Sequence, residues 1–136
     1  NDVSSVPGAL LPMEGTPNTA MPFDIQRVLL VEDDWLVAGA TRDQLTTWGL
    51  EVLHVETASE ALEQAAFGDL AICDVRLPHA ASGLDLALTL REQGQKVLLI
   101  SGETHAPLRE AAARHRLPLL IKPVSGAQLL GALQRL

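Results

Sequence analysis

Five short apolar segments recur along the chain, and they constrain its fold more than any other feature. They are VLLV at 28–31, VLHV at 52–55, LAIC at 70–73, VLLI at 97–100 and LLI at 119–121. Each is three or four residues long and rich in Val, Ile or Leu. This composition is typical of strands that are buried on both faces of a parallel sheet.

Helical patterns lie between these segments. Val37, Thr41, Leu45 and Trp48 recur on one helix face, and Gly49 follows as the expected terminating residue. Capping signatures begin three further helices, at Thr57-x-x-Glu60, Ser82-x-x-Asp85 and Ser125-x-x-Gln128, and Pro107 suits the first turn of another. Five alternating β-α units predict a doubly wound α/β domain, because right-handed crossovers place helices on both faces of the sheet.

The first 26 residues differ in composition from the rest. They hold four of the eight prolines and show no sustained hydrophobic periodicity. We therefore expect a Pro-rich linker or tail over residues 1–26 and the folded domain over residues 27–136. The chain begins with Asn rather than Met, which suggests a piece of a longer protein.

Composition excludes several classes of function. The net charge is −7 and no segment concentrates Lys and Arg, so the sequence predicts no direct contact with nucleic acid. No apolar run approaches the roughly 20 residues that span a bilayer, so no membrane contact is predicted for this domain. The single Cys73 forms no internal disulfide and fits a reducing compartment.

Ionisable and hydroxyl side chains follow four of the apolar segments. Glu32 and Asp33 follow the first, Asp74 the third, Ser101 the fourth and Lys122 the fifth. In an open parallel sheet these strand ends border the ligand crevice. Three neighbouring carboxylates need a cation to stay ionised, and carboxylate oxygens suit Mg²⁺ or Mn²⁺. A carboxylate can also attack phosphorus, while a metal, an ammonium and a hydroxyl neutralise the phosphoryl oxygens.

Four motifs, VLLVEDD, AICDVRLP, LLISGE and LIKPVS, resemble in order and spacing the receiver domain of two-component response regulators. The resemblance covers residues 27–136 and implies a flavodoxin-like (CheY-like) (βα)5 fold with a five-stranded parallel sheet in the order 2-1-3-4-5. It implies these roles: Asp74 as phosphoacceptor, Glu32 and Asp33 as ligands of Mg²⁺ (or Mn²⁺) with Asp74 and the Arg76 backbone carbonyl, Ser101 as switch hydroxyl, Lys122 as phosphoryl contact, and a cis Lys122–Pro123 bond.

The resemblance also implies partners and a cellular context. The phosphoryl group would come from a phosphohistidine of a histidine kinase or histidine phosphotransfer protein, and a homodimer is a further expectation. The domain would be a phosphoacceptor with its own phosphorylation and dephosphorylation chemistry, in the bacterial cytoplasm. The Pro-rich lead-in, the longer loop at 78–83 and the Ser-Gly after the fourth strand resemble the receiver of a hybrid histidine kinase, whose parent chain would carry the kinase and could be membrane-anchored.

Two features set this sequence apart from the usual receiver pattern. Leu119 stands where most receivers have a switch aromatic, which favours an alternative: a receiver-like interaction or dimerisation module that is not phosphorylated. Arg76 and Glu103 lie two residues after Asp74 and Ser101, and we expect them to pair across the crevice and hinder the hydrolytic water.

Other readings of the candidate residues stay open at this point. Ser101 could serve only a Ser-Gly turn, Asp34 is expected to be a helix N-cap, and Trp35 could either cover the site or pack on the surface. The four histidines, His54, His79, His105 and His115, lack metal-ligand spacing. A small Mg²⁺-dependent phosphatase is a further alternative, but its usual aspartate pattern after the first strand does not match Glu32-Asp33-Asp34.

Overall fold

The computed structural model describes residues 24–77 and 82–136, together with the short stretches 2–3 and 5–6. These stretches form two-residue strands, Asp2–Val3 and Ser5–Val6, which pair with each other in parallel. Most of the predicted linker over residues 1–26, and the part of the predicted long loop at 78–81, lie outside the described residues.

A five-stranded parallel sheet forms the centre of the domain. Its strands are β1 (Arg27–Val31), β2 (Glu51–Val55), β3 (Leu70–Asp74), β4 (Lys96–Ser101) and β5 (Leu119–Ile121). They are ordered β2-β1-β3-β4-β5, which confirms the predicted order 2-1-3-4-5. All carboxyl ends therefore lie at one edge of the sheet.

Burial on both faces is confirmed for the central strands only. β1, β3 and β4 are buried at nearly every position, whereas β2 and β5 are largely half-buried. The prediction of full burial is wrong for these two because an edge strand has a neighbouring strand on one side only.

In the described residues five helices alternate with the strands of this sheet, each with a side chain capping its first turn. They are α1 (Trp35–Thr47), α2 (Ala58–Glu63), α3 (Gly83–Glu92), α4 (Ala106–Arg114) and α5 (Gly126–Arg135). The predicted capping boxes at Thr57 and Ser125 are present, and Asp34 and Ser82 cap α1 and α3. Gly49, which follows α1, has a φ of 86°, a conformation that favours glycine.

Alternate residues of the central strands enter two separate cores. Leu29, Ala71 and Leu99 face a cluster completed by residues of α2, α3 and α4, whereas Leu30 and Ile72 face one completed by α1 and α5. This period-two alternation, with helices on both faces, confirms the doubly wound fold. None of the helices in the described part of the chain combines the length and apolar character needed to cross a membrane.

Candidate functional site

Three carboxylates meet at the carboxyl edge of the sheet. Glu32, Asp33 and Asp74, hereafter the carboxylate cluster, each place one oxygen within 4.8 Å of the others. Val31 of β1 pairs with Cys73 of β3, so the acids that follow these two residues come side by side. Glu32 and Asp74 are buried, at 3% and 6% exposure, while Asp33 is exposed.

Lys122 inserts its ammonium between two of these acids. Its Nζ lies 2.9 Å from Glu32 Oε1 and 2.9 Å from Asp74 Oδ2. The backbone N–H of Lys122 donates to the Ser101 carbonyl at 2.8 Å, which continues the pairing of β5 with β4 past the strand end. The Lys122–Pro123 peptide is cis, as the resemblance predicted.

Burial and hydrogen bonding shift the pKa values of Glu32 and Lys122. Burial, reinforced by a hydrogen bond with Asp74, raises the pKa of Glu32 to about 7. Burial acts to lower the pKa of Lys122, but the hydrogen bonds to Asp74 and Glu32 outweigh it and the pKa is raised. With all groups ionised, three carboxylates and one ammonium carry a formal charge of −2.

The donor set of the cluster fits a hard divalent cation. Its atoms are carboxylate oxygens, which Mg²⁺ and Mn²⁺ prefer, and the excess charge of −2 equals that which such an ion neutralises. Only Asp33 is exposed among the three acids, so the cluster is open to solvent on that side.

The main chain of Glu32 is held from both sides. Its N–H donates to the Val55 carbonyl at 3.0 Å, and its carbonyl accepts a hydrogen bond from His54 Nε2 at 2.6 Å. The ring of Trp35 meets the His54 ring edge to face, with centroids 4.8 Å apart. Trp35 is 62% exposed, so it packs against β2 at the surface.

Sequence reasoning missed the contact of His54 with the cluster. The available signal was a single polar residue inside the apolar segment VLHV. Of the other histidines, His105 caps α4, His115 follows that helix, and His79 lies outside the described residues.

Two turns of the same kind follow Asp74 and Ser101. Asp74 Oδ1 accepts the N–H of Arg76 at 3.0 Å, and Ser101 Oγ accepts the N–H of Glu103 at 2.9 Å. Such side chain to backbone bonds fix the direction of a turn. The fully buried Ser101 hydroxyl therefore stabilises its own turn in this structure.

Arg76 and Glu103 join the two turns. Arg76 Nη1 lies 3.1 Å from Glu103 Oε2, and Glu103 Oε1 lies 3.6 Å from His105 Nε2. The Arg76 side chain is 73% exposed, so this pair lies at the surface beside the ends of β3 and β4. Leu119, at the start of β5, is half-buried and packs against the core on the side of α2, α3 and α4.

Cys73 is fully buried, and burial raises the pKa of its thiol to about 12.

The sequence matches the model of a known protein family. Residues 28–134 match the family model of the response regulator receiver domain. The chain belongs to this family. Receiver domains act in two-component signalling, and accepting a phosphoryl group is the function of the family.

Individual relatives agree with this receiver assignment. The chain is 31% identical over 131 residues to the sensor protein TorS of Escherichia coli (strain K12), a match that covers 92% of this chain and 14% of that protein. The chain thus spans about a seventh of the length of this relative.

Solved structures extend the likeness to three dimensions. A CheY-like receiver domain protein from Methanospirillum hungatei JF-1 is 26% identical with a TM-score of 0.73, covering 82% of this chain and 93% of that one. A response regulator from Burkholderia pseudomallei, solved with a phosphorylated aspartic acid, a calcium ion and citrate, is 25% identical with a TM-score of 0.71, covering 80% and 66%.

Proposed function

We propose that Asp74 accepts a phosphoryl group from a phosphohistidine of a histidine kinase or histidine phosphotransfer protein. One observation carries the proposal: a buried aspartate lies within 4.8 Å of two further carboxylates and within 2.9 Å of an ammonium, at the carboxyl edge of a parallel sheet. A phosphorylated aspartate in the Burkholderia pseudomallei relative supports the same chemistry here.

The transfer needs one bond to form and one to break. An Asp74 carboxylate oxygen attacks phosphorus, and the bond from phosphorus to the imidazole nitrogen of the donor breaks with its electron pair going to that nitrogen. Lys122 already contacts Asp74 Oδ2, so its ammonium is positioned to hold an oxygen of the incoming phosphoryl group.

Glu32, Asp33 and Asp74 would hold Mg²⁺ or Mn²⁺, with the Arg76 backbone carbonyl as a further ligand. When bound, the ion would neutralise negative charge on the carboxylates and on the phosphoryl oxygens. The excess negative charge of the carboxylate cluster supports a cation at this position.

Signalling would begin at Ser101. Its hydroxyl accepts the Glu103 N–H in the unphosphorylated domain, and turning toward a phosphorylated Asp74 would give up that bond and move the loop before α4. With Leu119 in place of an aromatic residue, the shift would be passed on through this loop rather than through a flipping ring. Arg76 and Glu103 would hinder the hydrolytic water at the mouth of the crevice.

The wider context is part of the proposal. Residues 27–136 would form the receiver and residues 1–26 a Pro-rich linker from the kinase part of a hybrid histidine kinase, in the cytoplasm of a bacterium and with homodimerisation as an additional property. The likeness to a sensor protein and the unpaired thiol of Cys73, which fits a reducing compartment, support this placement. A phosphoaccepting histidine helix and an ATP-binding domain encoded upstream would be the decisive observation.

Incubation with a small phosphodonor and Mg²⁺, followed by mass spectrometry of the intact protein, tests the phosphoacceptor function. We expect one phosphoryl group per chain in the wild type and in Asp85→Asn, an exposed aspartate of α3, and none in Asp74→Asn. If the wild type gains no Asp74-dependent mass, the chain is instead the unphosphorylated interaction module.

A further inference from the structure

We propose that His54 is a positioning residue for the metal-binding carboxylates. Its Nε2 donates a hydrogen bond of 2.6 Å to the backbone carbonyl of Glu32, the peptide unit that leads directly into Asp33. This inference rests on the proposed function, because it concerns the cation that Glu32, Asp33 and Asp74 would hold.

The geometry assigns the proton of this contact. A carbonyl oxygen can only accept, so His54 Nε2 must carry the hydrogen. His54 is paired with Leu30 in the sheet register, and its side chain reaches along the neighbouring strand to the point where β1 ends. The ring is half-buried and has the Trp35 ring against it, which limits the directions the imidazole can take.

The hydrogen bond from His54 acts next to Asp33, the least constrained member of the carboxylate cluster. Glu32 is buried and held through Lys122 and through the Asp34 N–H, which donates to Glu32 Oε2 at 3.2 Å. Asp33 is exposed, and among the described residues no hydrogen bond or ion pair holds its carboxylate. The orientation of the peptide between Glu32 and Asp33 therefore sets the direction in which the Asp33 side chain leaves the backbone.

Fixing that peptide in advance should favour cation binding. Groups that orient metal ligands typically change metal affinity by about tenfold or more, and a single hydrogen bond changes an equilibrium by roughly three- to tenfold. We expect loss of the His54 bond to weaken metal binding by the smaller of these two amounts, roughly three- to tenfold, because His54 acts through the backbone and not through a ligand atom.

The experiment is calorimetric titration of the metal-free protein with Mg²⁺. His54→Phe keeps a ring against Trp35 but cannot donate, and His54→Leu removes the donor without a ring. His54→Gln keeps an N–H donor, and His115→Phe is a control histidine substitution beyond the end of α4. Calorimetry is preferred to fluorescence because Trp35 touches the substituted residue.

We expect His54→Phe and His54→Leu to bind Mg²⁺ roughly three- to tenfold more weakly, with His54→Gln and His115→Phe within about twofold of the wild type. At saturating Mg²⁺ both weak variants should be phosphorylated at the wild-type rate, because every group that contacts the phosphoryl group is retained. Unchanged affinity in His54→Phe and His54→Leu would overturn the inference alone. Equal weakening in His54→Gln would overturn its hydrogen-bond basis. A wild type that neither binds Mg²⁺ nor is phosphorylated would overturn the proposed function as well.

Discussion

Gly83 packs directly against the main chain of Asp74. A β-carbon at position 83 would overlap the Asp74 carbonyl oxygen and lie 2.7 Å from its carbonyl carbon. The Gly83 N–H donates to the Val75 carbonyl at 2.8 Å, so α3 begins in contact with the end of β3. The helix start therefore supports the backbone that presents Asp74, the proposed phosphoacceptor.

We expect Gly83→Ala to lower the free energy of unfolding by about 1–3 kcal/mol, since the new methyl group meets backbone that must move. Phosphorylation at Asp74 should slow as well. Gly39→Ala is the control, because Gly39 lies inside α1 with nothing within 4 Å of its would-be β-carbon, and it should stabilise by up to about 1 kcal/mol. Urea unfolding of both variants measures the two effects. Equal stability of the two variants would contradict the close approach.

Asp33 and Asp34 are adjacent, yet their replacement by alanine should have opposite effects on stability and on Mg²⁺ affinity. Asp34 Oδ1 accepts the N–H groups of Leu36 and Val37, which makes it the N-cap of α1. Asp34→Ala should therefore cost about 1 kcal/mol of stability with little change in Mg²⁺ affinity. Asp33→Ala should weaken Mg²⁺ binding by roughly tenfold or more, since it removes a carboxylate ligand. Without metal it should not destabilise, because one of three mutually repelling charges is gone.

Thermal unfolding with and without Mg²⁺, together with calorimetric titration, separates the two variants. Loss of Mg²⁺ affinity in Asp34→Ala with an unchanged unfolding midpoint would reverse the assignment of these two acids.

Lys122 neutralises two buried acids, so replacing it should lower the free energy of unfolding most in the absence of metal. We expect Lys122→Met to lose about 1–3 kcal/mol of stability in a chelator, less than for a fully buried pair because the Lys122 side chain is 22% exposed. Mg²⁺ should restore part of the loss, while phosphorylation stays slow. Lys96→Met, at an exposed lysine that begins β4, is the matched control and should behave as the wild type. A variant at Lys122 that is as stable as this control would show that the ammonium is not needed there.

The fold was predictable because its signals are local. Apolar segments, capping residues such as Thr57 and Ser125, and the terminating Gly49 each act over a few residues. The meeting of Asp74 with Lys122, 48 positions apart, was also predictable, because parallel strands bring their carboxyl ends to one edge.

Contacts set by side-chain reach or by close packing were not predictable. The bond from His54 to Glu32 depends on the register of β2 against β1, and the overlap that makes Gly83 necessary depends on where α3 meets β3. His105 caps α4 through Nδ1, although histidine is not among the preferred N-cap residues, so only Pro107 marked that helix start.

Asp69 ties the beginning of β1 to the loop before β3, and this tie should depend on pH. Its Oδ2 accepts the N–H groups of Gln26 at 2.9 Å and Arg27 at 3.0 Å, and these bonds lower the pKa of Asp69 below 3.8. A carboxylate whose pKa is lowered by folding stabilises the protein above its unfolded pKa. The contribution disappears as the pH falls through the lower, folded pKa.

Asp69→Asn should therefore be less stable than the wild type at about pH 5–7, and the difference should shrink below about pH 3.8. Denaturant unfolding at several pH values measures this, with Asp43→Asn, an exposed aspartate of α1, as the control. A stability difference between Asp69→Asn and the wild type that grows toward low pH would contradict the assigned role of the carboxylate.

The ion pair of Arg76 with Glu103 should lengthen the life of the aspartyl phosphate. The pair joins the turns after Asp74 and Ser101 at 3.1 Å, and we propose that it obstructs the approach of the hydrolytic water. Arg76→Ala and Glu103→Ala should each shorten the lifetime by a factor of about two to five, the effect of an exposed ion pair worth up to about 1 kcal/mol. The double variant should have a lifetime no shorter than that of the single variants, because either substitution already breaks the ion pair.

Arg114→Ala, at the end of α4, is the control. The lifetime is measured as the decay of the phosphorylated mass after the phosphodonor is removed; equal decay in all variants would show that the pair does not restrict water.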